Sequence, residues 1–369
     1  MITSKRVGDL GPLSRDSLEK EPTMNSGSRK IQKPFIIPVF LPHAGCPHQC
    51  VFCDQAAITG ENPALPSTES LRKQVNSFIA YKSKQRKEVQ IAFYGGNFLG
   101  LAEKTVRMLL QDAAAFVQAG KVDSIRFSTR PDTIDAVRLN GLKNYPVSTI
   151  ELGVQSMDEE VLALSNRGHT ARDTEKAVGL LRENNHQIGL QLMLGLPGDD
   201  ENRAIKSAEK TADLSPDFVR IYPTVVLKNS PLSRLFQLRK YVPLSLEAAV
   251  SLTKKLYRVF ESRTIPVIRM GLQASEELDA GTDILAGPYH PSFGQLVYAE
   301  LFLDKARSLL QNLENNPESI TLQIHPRSLS RLQGIRNRNI QILKNEFSLH
   351  SIAIVTDDSM TENELKVLV

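Results

Sequence analysis

The 369-residue sequence predicts an α/β fold, a parallel sheet with right-handed helical crossovers curled as a barrel. Two observations carry that expectation. Six short β-rich runs alternate with longer segments of helical spacing between residues 35 and 224. Polar or glycine residues follow directly on the strand ends: Gly95-Gly96-Asn97, Ser128 to Asp132, Gln155-Ser156 and Gly198-Asp199. A barrel builds its site from such loops at the carboxyl ends of its strands. A doubly wound open sheet fits the same periodicity, which does not separate closure from openness.

The strand runs are FIIPVFLP (35–42), VQIAFYGG (89–96), SIRFSTR (124–130), TIELGVQS (149–156), IGLQLMLGLPG (188–198) and FVRIYPT (218–224). Helical spacing covers 67–86, 101–119, 133–144, 158–185 and 200–214. Beyond 224 the alternation loosens. LSLEAAVSLTKKLYRVFESR (244–263) predicts one helix with Leu246, Ala249, Leu252, Leu256, Val259 and Phe260 along one face. TIPVIRMGL (264–272) reads as a further strand, and 285–310 as a loop punctuated by glycine and proline that leads into a helix. The tail, 320–358, reads strand, basic helix, strand. Four regions are expected: a disordered leader over 1–33, a barrel core over 34–272, a loop-and-helix extension over 273–317, and a small α/β module over 318–369. The leader is polar and of mixed charge, too poor in apolar surface to order itself.

Composition narrows the class. With 41% hydrophobic and 23% charged residues and a net charge of +4, this is an ordinary globular chain. Such a mild positive charge permits phosphate or nucleic-acid affinity without demanding it. The longest apolar run, FIIPVFLP, is too short to span a bilayer, and the N-terminus has no apolar signal region. All three cysteines lie in GCPHQCVFCD, residues 45–54. Clustered thiols without a targeting segment point to a reducing cytoplasm.

Cys46, Cys50 and Cys53 stand at C-x3-C-x2-C spacing. Inert buried thiols would be scattered. A zinc site could recruit His43 or His48 as its fourth ligand, but structural zinc usually pairs two ligand turns, and no second pair exists. A thiol switch needs only two cysteines. An iron–sulfur cubane normally takes four thiolates, so three would leave one iron open to a ligand that is not protein. S-adenosylmethionine offers an amine and a carboxylate to chelate that iron, beside a reducible sulfonium.

At this point the residues reach a family. CPHQCVFC resembles the signature of the radical S-adenosylmethionine superfamily, with Phe52 at the aromatic position beside the adenine. FYGGNF (93–98) resembles its glycine-rich turn, which approaches the methionine amine with Gly95, Gly96 and Asn97; many members carry Glu, Ser or Thr where Asn97 stands. STRPDTI (128–134), ELGVQSMDEEVLALSNRGHT (151–170), LMLGLPGDD (192–200), RIYPTVVLKNSPLSRL (220–235) and YVPLSLEAAV (241–250) resemble the elongator catalytic subunit. The oxygen-independent coproporphyrinogen oxidase-like proteins resemble the chain less closely. The resemblance spans about residues 35–300. It implies a partial (β/α)6 TIM-type barrel with a [4Fe-4S] cluster on Cys46, Cys50 and Cys53. It places Ser128 and Gln191 near the ribose and methionine portions, with Gln155 and Arg167 as further cofactor contacts. Arg167 suits the methionine carboxylate as a permanent cation. Arg130 is either a phosphate or substrate contact or an ion-pair partner of Asp132.

The reaction this implies is reductive cleavage of S-adenosylmethionine to a 5′-deoxyadenosyl radical that abstracts hydrogen from a substrate in the barrel. Its electron would come from a one-electron reductant such as flavodoxin or ferredoxin. The chain departs from the elongator subunit in its tight first cysteine gap and in leaving no room for an acetyltransferase domain. It also lacks the further cysteines that methylthiotransferases and auxiliary-cluster maturases need. Tyr289 and His290, held between prolines, could contact substrate or supply a proton. The tail's Arg327, Arg331, Arg336, Arg338 and Lys344 suggest a small RNA-binding module, and elongator relatives act on tRNA. A non-catalytic metal- or nucleic-acid-binding protein on the same scaffold, or a porphyrinogen-type oxidase, is the alternative.

Overall fold

The computed structural model describes residues 34–41, 43–47, 49–55, 65–81, 88–273, 281, 283–313 and 317–368. The leader expected over 1–33 and His48 lie outside these residues. Seven strands pair in one parallel sheet: β1 (Phe35–Leu41), β2 (Val89–Gly95), β3 (Ser124–Thr129), β4 (Val147–Gln155), β5 (Gln187–Leu194), β6 (Phe218–Pro223) and β8 (Val267–Met270). The order along the sheet follows the order along the chain, and the sheet curls into a half-open barrel.

The crossovers are α1 (Thr68–Ala80), α2 (Glu103–Gln118), α3 (Ala136–Leu142), α4 (Glu159–Leu164) with α5 (Ala171–Glu183), α6 (Glu201–Asp213), and α7 (Pro231–Gln237) with α8 (Leu246–Ser262). Their starts are written in the sequence: Ser67, Asp200 and Ser245 accept backbone N–H groups at the first turns of α1, α6 and α8, and Thr170 with Asp173 forms a capping box on α5. Alternation does the rest. Ile37, Ile91, Phe93, Ile125, Phe127, Leu152, Leu190 and Ile221 point outward into one core with Leu109, Leu181, Ala208, Leu256 and Phe260 of the helices. The intervening strand residues face the barrel interior.

Two helical segments break where periodicity predicted continuity. The segment 158–185 splits into α4 and α5 because Asn166 (φ 51°) and Gly168 (φ 67°) adopt left-handed backbone, which turns Arg167 toward the strand ends. The basic tail helix is likewise broken, into α10 (Leu329–Gln333) and α11 (Arg338–Glu346), by left-handed Arg336 and Asn337 after Gly334. A short antiparallel pair, β7 (Val226–Leu227) with β9 (Ile284–Ala286), was not legible in the periodicity.

Helix α9 (Phe293–Gln311) is shared between two cores. Phe293, Val297 and Leu301 pack on the barrel, while Phe302, Leu303, Ala306 and Leu310 pack with Ile320, Leu322 and Ile324 of β10 (Ser319–Ile324). Strand β10 is flanked by parallel β11 (Ser351–Thr356) and antiparallel β12 (Leu365–Leu368). The tail thus carries one strand more than the sequence suggested. Among the described residues, no helix is long and apolar enough to cross a membrane.

Candidate active site

The cysteine loop leaves the carboxyl end of β1 and runs hard against the end of β2. Gly96 donates its N–H to Leu41 O (2.8 Å) and Asn97 donates to Ala44 O (2.8 Å). A Cβ on Gly96 would overlap the Ala44 carbonyl oxygen, and one on Gly45 (φ 72°) would overlap that of Asn97. These glycines are therefore required first by the chain's own backbone. Asn97 is the hub: its Nδ2 donates to Gly45 O (3.0 Å), and its Oδ1 accepts from Thr129 Oγ1 (2.6 Å), Arg130 N (3.0 Å) and Thr133 Oγ1 (3.0 Å). It is 0% exposed, and its side chain ties three loops together.

The far end of the loop is clasped by His43, offered by the sequence only as a zinc ligand, and by Gln55, which the sequence did not flag. Gln55 N donates to His43 Nε2 (2.9 Å), His43 N donates to Gln55 Oε1, and Gln55 Nε2 donates to Gly95 O (2.5 Å). The middle is anchored by Val51, whose N–H donates to Ser165 O (3.1 Å) and whose carbonyl accepts from Leu232 N (2.7 Å). Phe52 packs on the apolar cluster of Val226, Leu232 and Tyr241 while keeping a face on the cleft.

Cys46, Cys50 and Cys53 line this one cleft, which encloses about 590 Å³ with its open mouth included. Gly95, Gly96 and Ser128 share its wall with Arg130, Gln155, Arg167 and Gln191. Arg167 Nη1 donates to Cys50 Sγ (3.1 Å) and Nη2 donates to Gly153 O (2.5 Å). Arg130 is bidentate to Asp132 (2.9 and 3.0 Å) and also donates to the Arg167 carbonyl. Arg130 is thus an ion-pair partner of Asp132 that also lines the cleft. Burial and the neighbouring Cys50 sulfur push up the Cys46 thiol, and push the Cys53 thiol up to about 12. The three thiols are free, and among the described residues no three His, Cys, Asp or Glu side chains converge closely enough to hold a single ion.

Tyr289 and His290 lie elsewhere. Tyr289 packs against the Val225 and Leu227 cluster, and His290 Nδ1 accepts from Ser292 N (3.0 Å); neither lines the cleft. Beneath the cleft is a charged floor that the sequence reading missed. Glu151, 0% exposed, accepts from Arg126 Nη2 (2.7 Å), Arg220 Nη2 (3.1 Å), Tyr94 OH (3.2 Å) and Gln191 Nε2 (3.0 Å). Gln191 also donates to Ser128 Oγ (3.4 Å), so it joins the floor to the cleft wall. The available signal was a charged residue at an inward position of three apolar strands: Arg in SIRFSTR, Glu in TIELGVQS and Arg in FVRIYPT.

Comparison with known proteins gives this geometry a family. A model described as the Radical SAM superfamily matches residues 40–211, and one described as the Radical SAM C-terminal domain matches residues 216–302. An uncharacterized protein of Methanocaldococcus jannaschii is 31% identical over 60% of this chain and 70% of its own length. The chain belongs to the radical SAM superfamily. A tRNA uridine(34) acetyltransferase of the same organism is 25% identical over 73% of this chain, and the match covers 56% of that relative. A solved structure of the archaeal Elp3 of Methanocaldococcus infernus shares the fold, with a TM-score of 0.56 at 20% identity over 74% of this chain and 63% of that one. The radical SAM assignment makes the protein an enzyme type that uses S-adenosylmethionine and an iron–sulfur cluster. It also accounts for a site built at the carboxyl ends of the strands.

Proposed function

We propose that Cys46, Cys50 and Cys53 hold a [4Fe-4S] cluster and that S-adenosylmethionine fills the rest of the cleft. The single observation that carries this is the three thiols lining one cleft with a buried guanidinium on one of them, Arg167 Nη1 to Cys50 Sγ at 3.1 Å. The donor set is all soft sulfur, which suits an iron–sulfur group. His43 Nε2 already accepts from the Gln55 backbone, so the zinc alternative loses that fourth ligand. Three cleft residues also hold buried polar atoms with no hydrogen-bond partner: Arg130 Nη1, Arg167 Nε and Gln155 Oε1. Orphaned donors and acceptors of this kind are costly until a ligand meets them.

With an electron passed in by an external one-electron donor, a bound cluster and S-adenosylmethionine would supply reductive cleavage of a sulfonium C–S bond. The chain's own residues bind and orient. Arg167 offsets thiolate charge and, with Arg130, directs guanidinium donors at a carboxylate. Gln155 offers an acceptor, Ser128 and Gln191 offer a hydroxyl and an amide, and Phe52 offers a flat apolar face. Packing of Phe52 on Leu232 and Tyr241 keeps that wall dry. Anaerobic reconstitution tests the assignment: wild-type protein is expected to take up about four irons per chain. Cys46→Ala, Cys50→Ala or Cys53→Ala each should lose most of them. Uptake of zinc with no iron contradicts it.

The proposed substrate class is tRNA, carried over from the named relative, with flavodoxin or ferredoxin as electron donor. Acetyl transfer is not carried over, because the match covers 56% of that relative. The basic tail contributes less than its sequence suggested. Arg327 and Arg331 both pair with Glu362, and Lys344 donates to the His350 carbonyl. Arg336 and Arg338 are left exposed at the kink. Filter binding of bulk tRNA should therefore show a shallow salt dependence from this module, a log–log slope of about −1 to −2 removed by Arg336→Gln with Arg338→Gln. An unchanged slope in the double variant removes the tail from RNA binding.

A further inference from the structure

Among the described residues, the inward face of the sheet carries more positive than negative side chains. On the inward face of the sheet Gln191, Arg220 and Arg269 stand side by side in register on β5, β6 and β8. Arg220 is spent on Glu151, with Nε 2.8 Å from a carboxylate oxygen, and lies over the Tyr94 ring. Arg126 is spent on the same carboxylate at 2.7 Å. Arg269 has no such partner: among the described residues it makes no hydrogen bond, ion pair or ring contact, although it is half-buried. Among the described residues, this face thus holds three guanidinium groups and one carboxylate. A half-buried cation without a counterion is unfavourable unless a ligand supplies one.

Its position gives the charge a use. Strand β8 is the last strand of the half-open sheet, so Arg269 stands at its edge. Two strand spacings separate it from Gln191 on the cleft wall, about 10 Å. We propose that Arg269, with Arg220 beside it, is the docking point for an oxyanion of the substrate, a phosphate or a carboxylate, which fixes the substrate's orientation under the cleft. This rests on the cleft being the reactive site, but the anion site itself needs no cluster. Because guanidinium grips such groups through paired N–H donors, lysine at this position would keep the charge and lose the fork.

The test is calorimetric titration of iron-free protein with inorganic phosphate and, separately, with acetate at constant ionic strength. The wild type is expected to bind at least one of them with a Kd of about 1 mM or tighter. Arg269→Gln should weaken that binding about tenfold or more, and Arg269→Lys by less. Arg107→Gln, on the far exposed face of α2, should leave it unchanged. Because Arg269 holds no partner among the described residues, Arg269→Gln should melt within about 2 °C of the wild type, which separates lost binding from lost folding. Phosphate binding alone points to a phosphate group on the substrate, and acetate binding alone to a carboxylate. Failure of both, or equal binding by Arg269→Gln, overturns the proposal. Iron uptake by the wild type is read separately, so the anion site and the cluster site stand or fall independently.

Discussion

Arg167→Ala is expected to cut S-adenosylmethionine affinity and 5′-deoxyadenosine yield by about 100-fold while the chain still folds. The side chain is 6% exposed and gives one donor to Cys50 Sγ and one to Gly153 O. Its Nε is buried with no partner, held toward the cleft by the left-handed turn at Asn166 and Gly168. Losing charge-assisted contacts of this kind costs about 1.5–3 kcal/mol each, so one or two account for the effect. Arg167→Lys should recover part of it, because the cation returns without the planar fork. Equilibrium dialysis of S-adenosylmethionine against reconstituted protein reads the loss. Unchanged affinity in Arg167→Ala removes this residue from the cofactor site.

Glu151→Ala is expected to cause a large loss of stability, about 3–5 kcal/mol, because it strands Arg126 and Arg220 without their counterion. Burial pushes the Glu151 carboxyl up, but Arg220, Arg126 and hydrogen bonds from Gln191 and Tyr94 outweigh it and hold the group below the usual range. A lowered folded value means that ionised Glu151 stabilises the fold above the unfolded value of about 4.3. That contribution disappears as pH falls through the lower folded value. The wild type should therefore exceed Glu151→Gln in stability by the full amount at neutral pH, with the gap closing below about pH 4. Thermal unfolding of both proteins at pH 7 and in acid measures it. A gap that does not change with pH means that Glu151 is not ionised in the fold.

The strands were legible because their outward residues are apolar and β-branched or aromatic, as in FIIPVFL and VQIAF, and because β2, β3 and β4 end at Gly95, Thr129 and Gln155, which line the cleft. The cysteine loop was legible from spacing alone. The break at Asn166 was hidden, since Val161 and Leu162 before it and Ala171 and Val178 after it each sit in a stretch of helix-forming residues; only the Asn and Gly of SNRGH betray the left-handed turn. The loop-tying bonds of the Asn97 side chain were not legible, because which way a side chain points at a turn depends on the chain packed against it. Tyr289 stood out between prolines but packs with Val225 and Leu227, a cluster formed by pairing of β7 with β9 across more than 50 residues. No local pattern announces such a contact. The Glu151 floor was written in the sequence as charges inside strands, and its meaning emerged only when three strands brought them to one point.

The most direct test is whether anaerobically reconstituted protein, given S-adenosylmethionine and dithionite, forms 5′-deoxyadenosine. The wild type is expected to form it and the Cys46→Ala, Cys50→Ala and Cys53→Ala proteins to form none. A wild type that carries its full iron and still yields no 5′-deoxyadenosine contradicts the account.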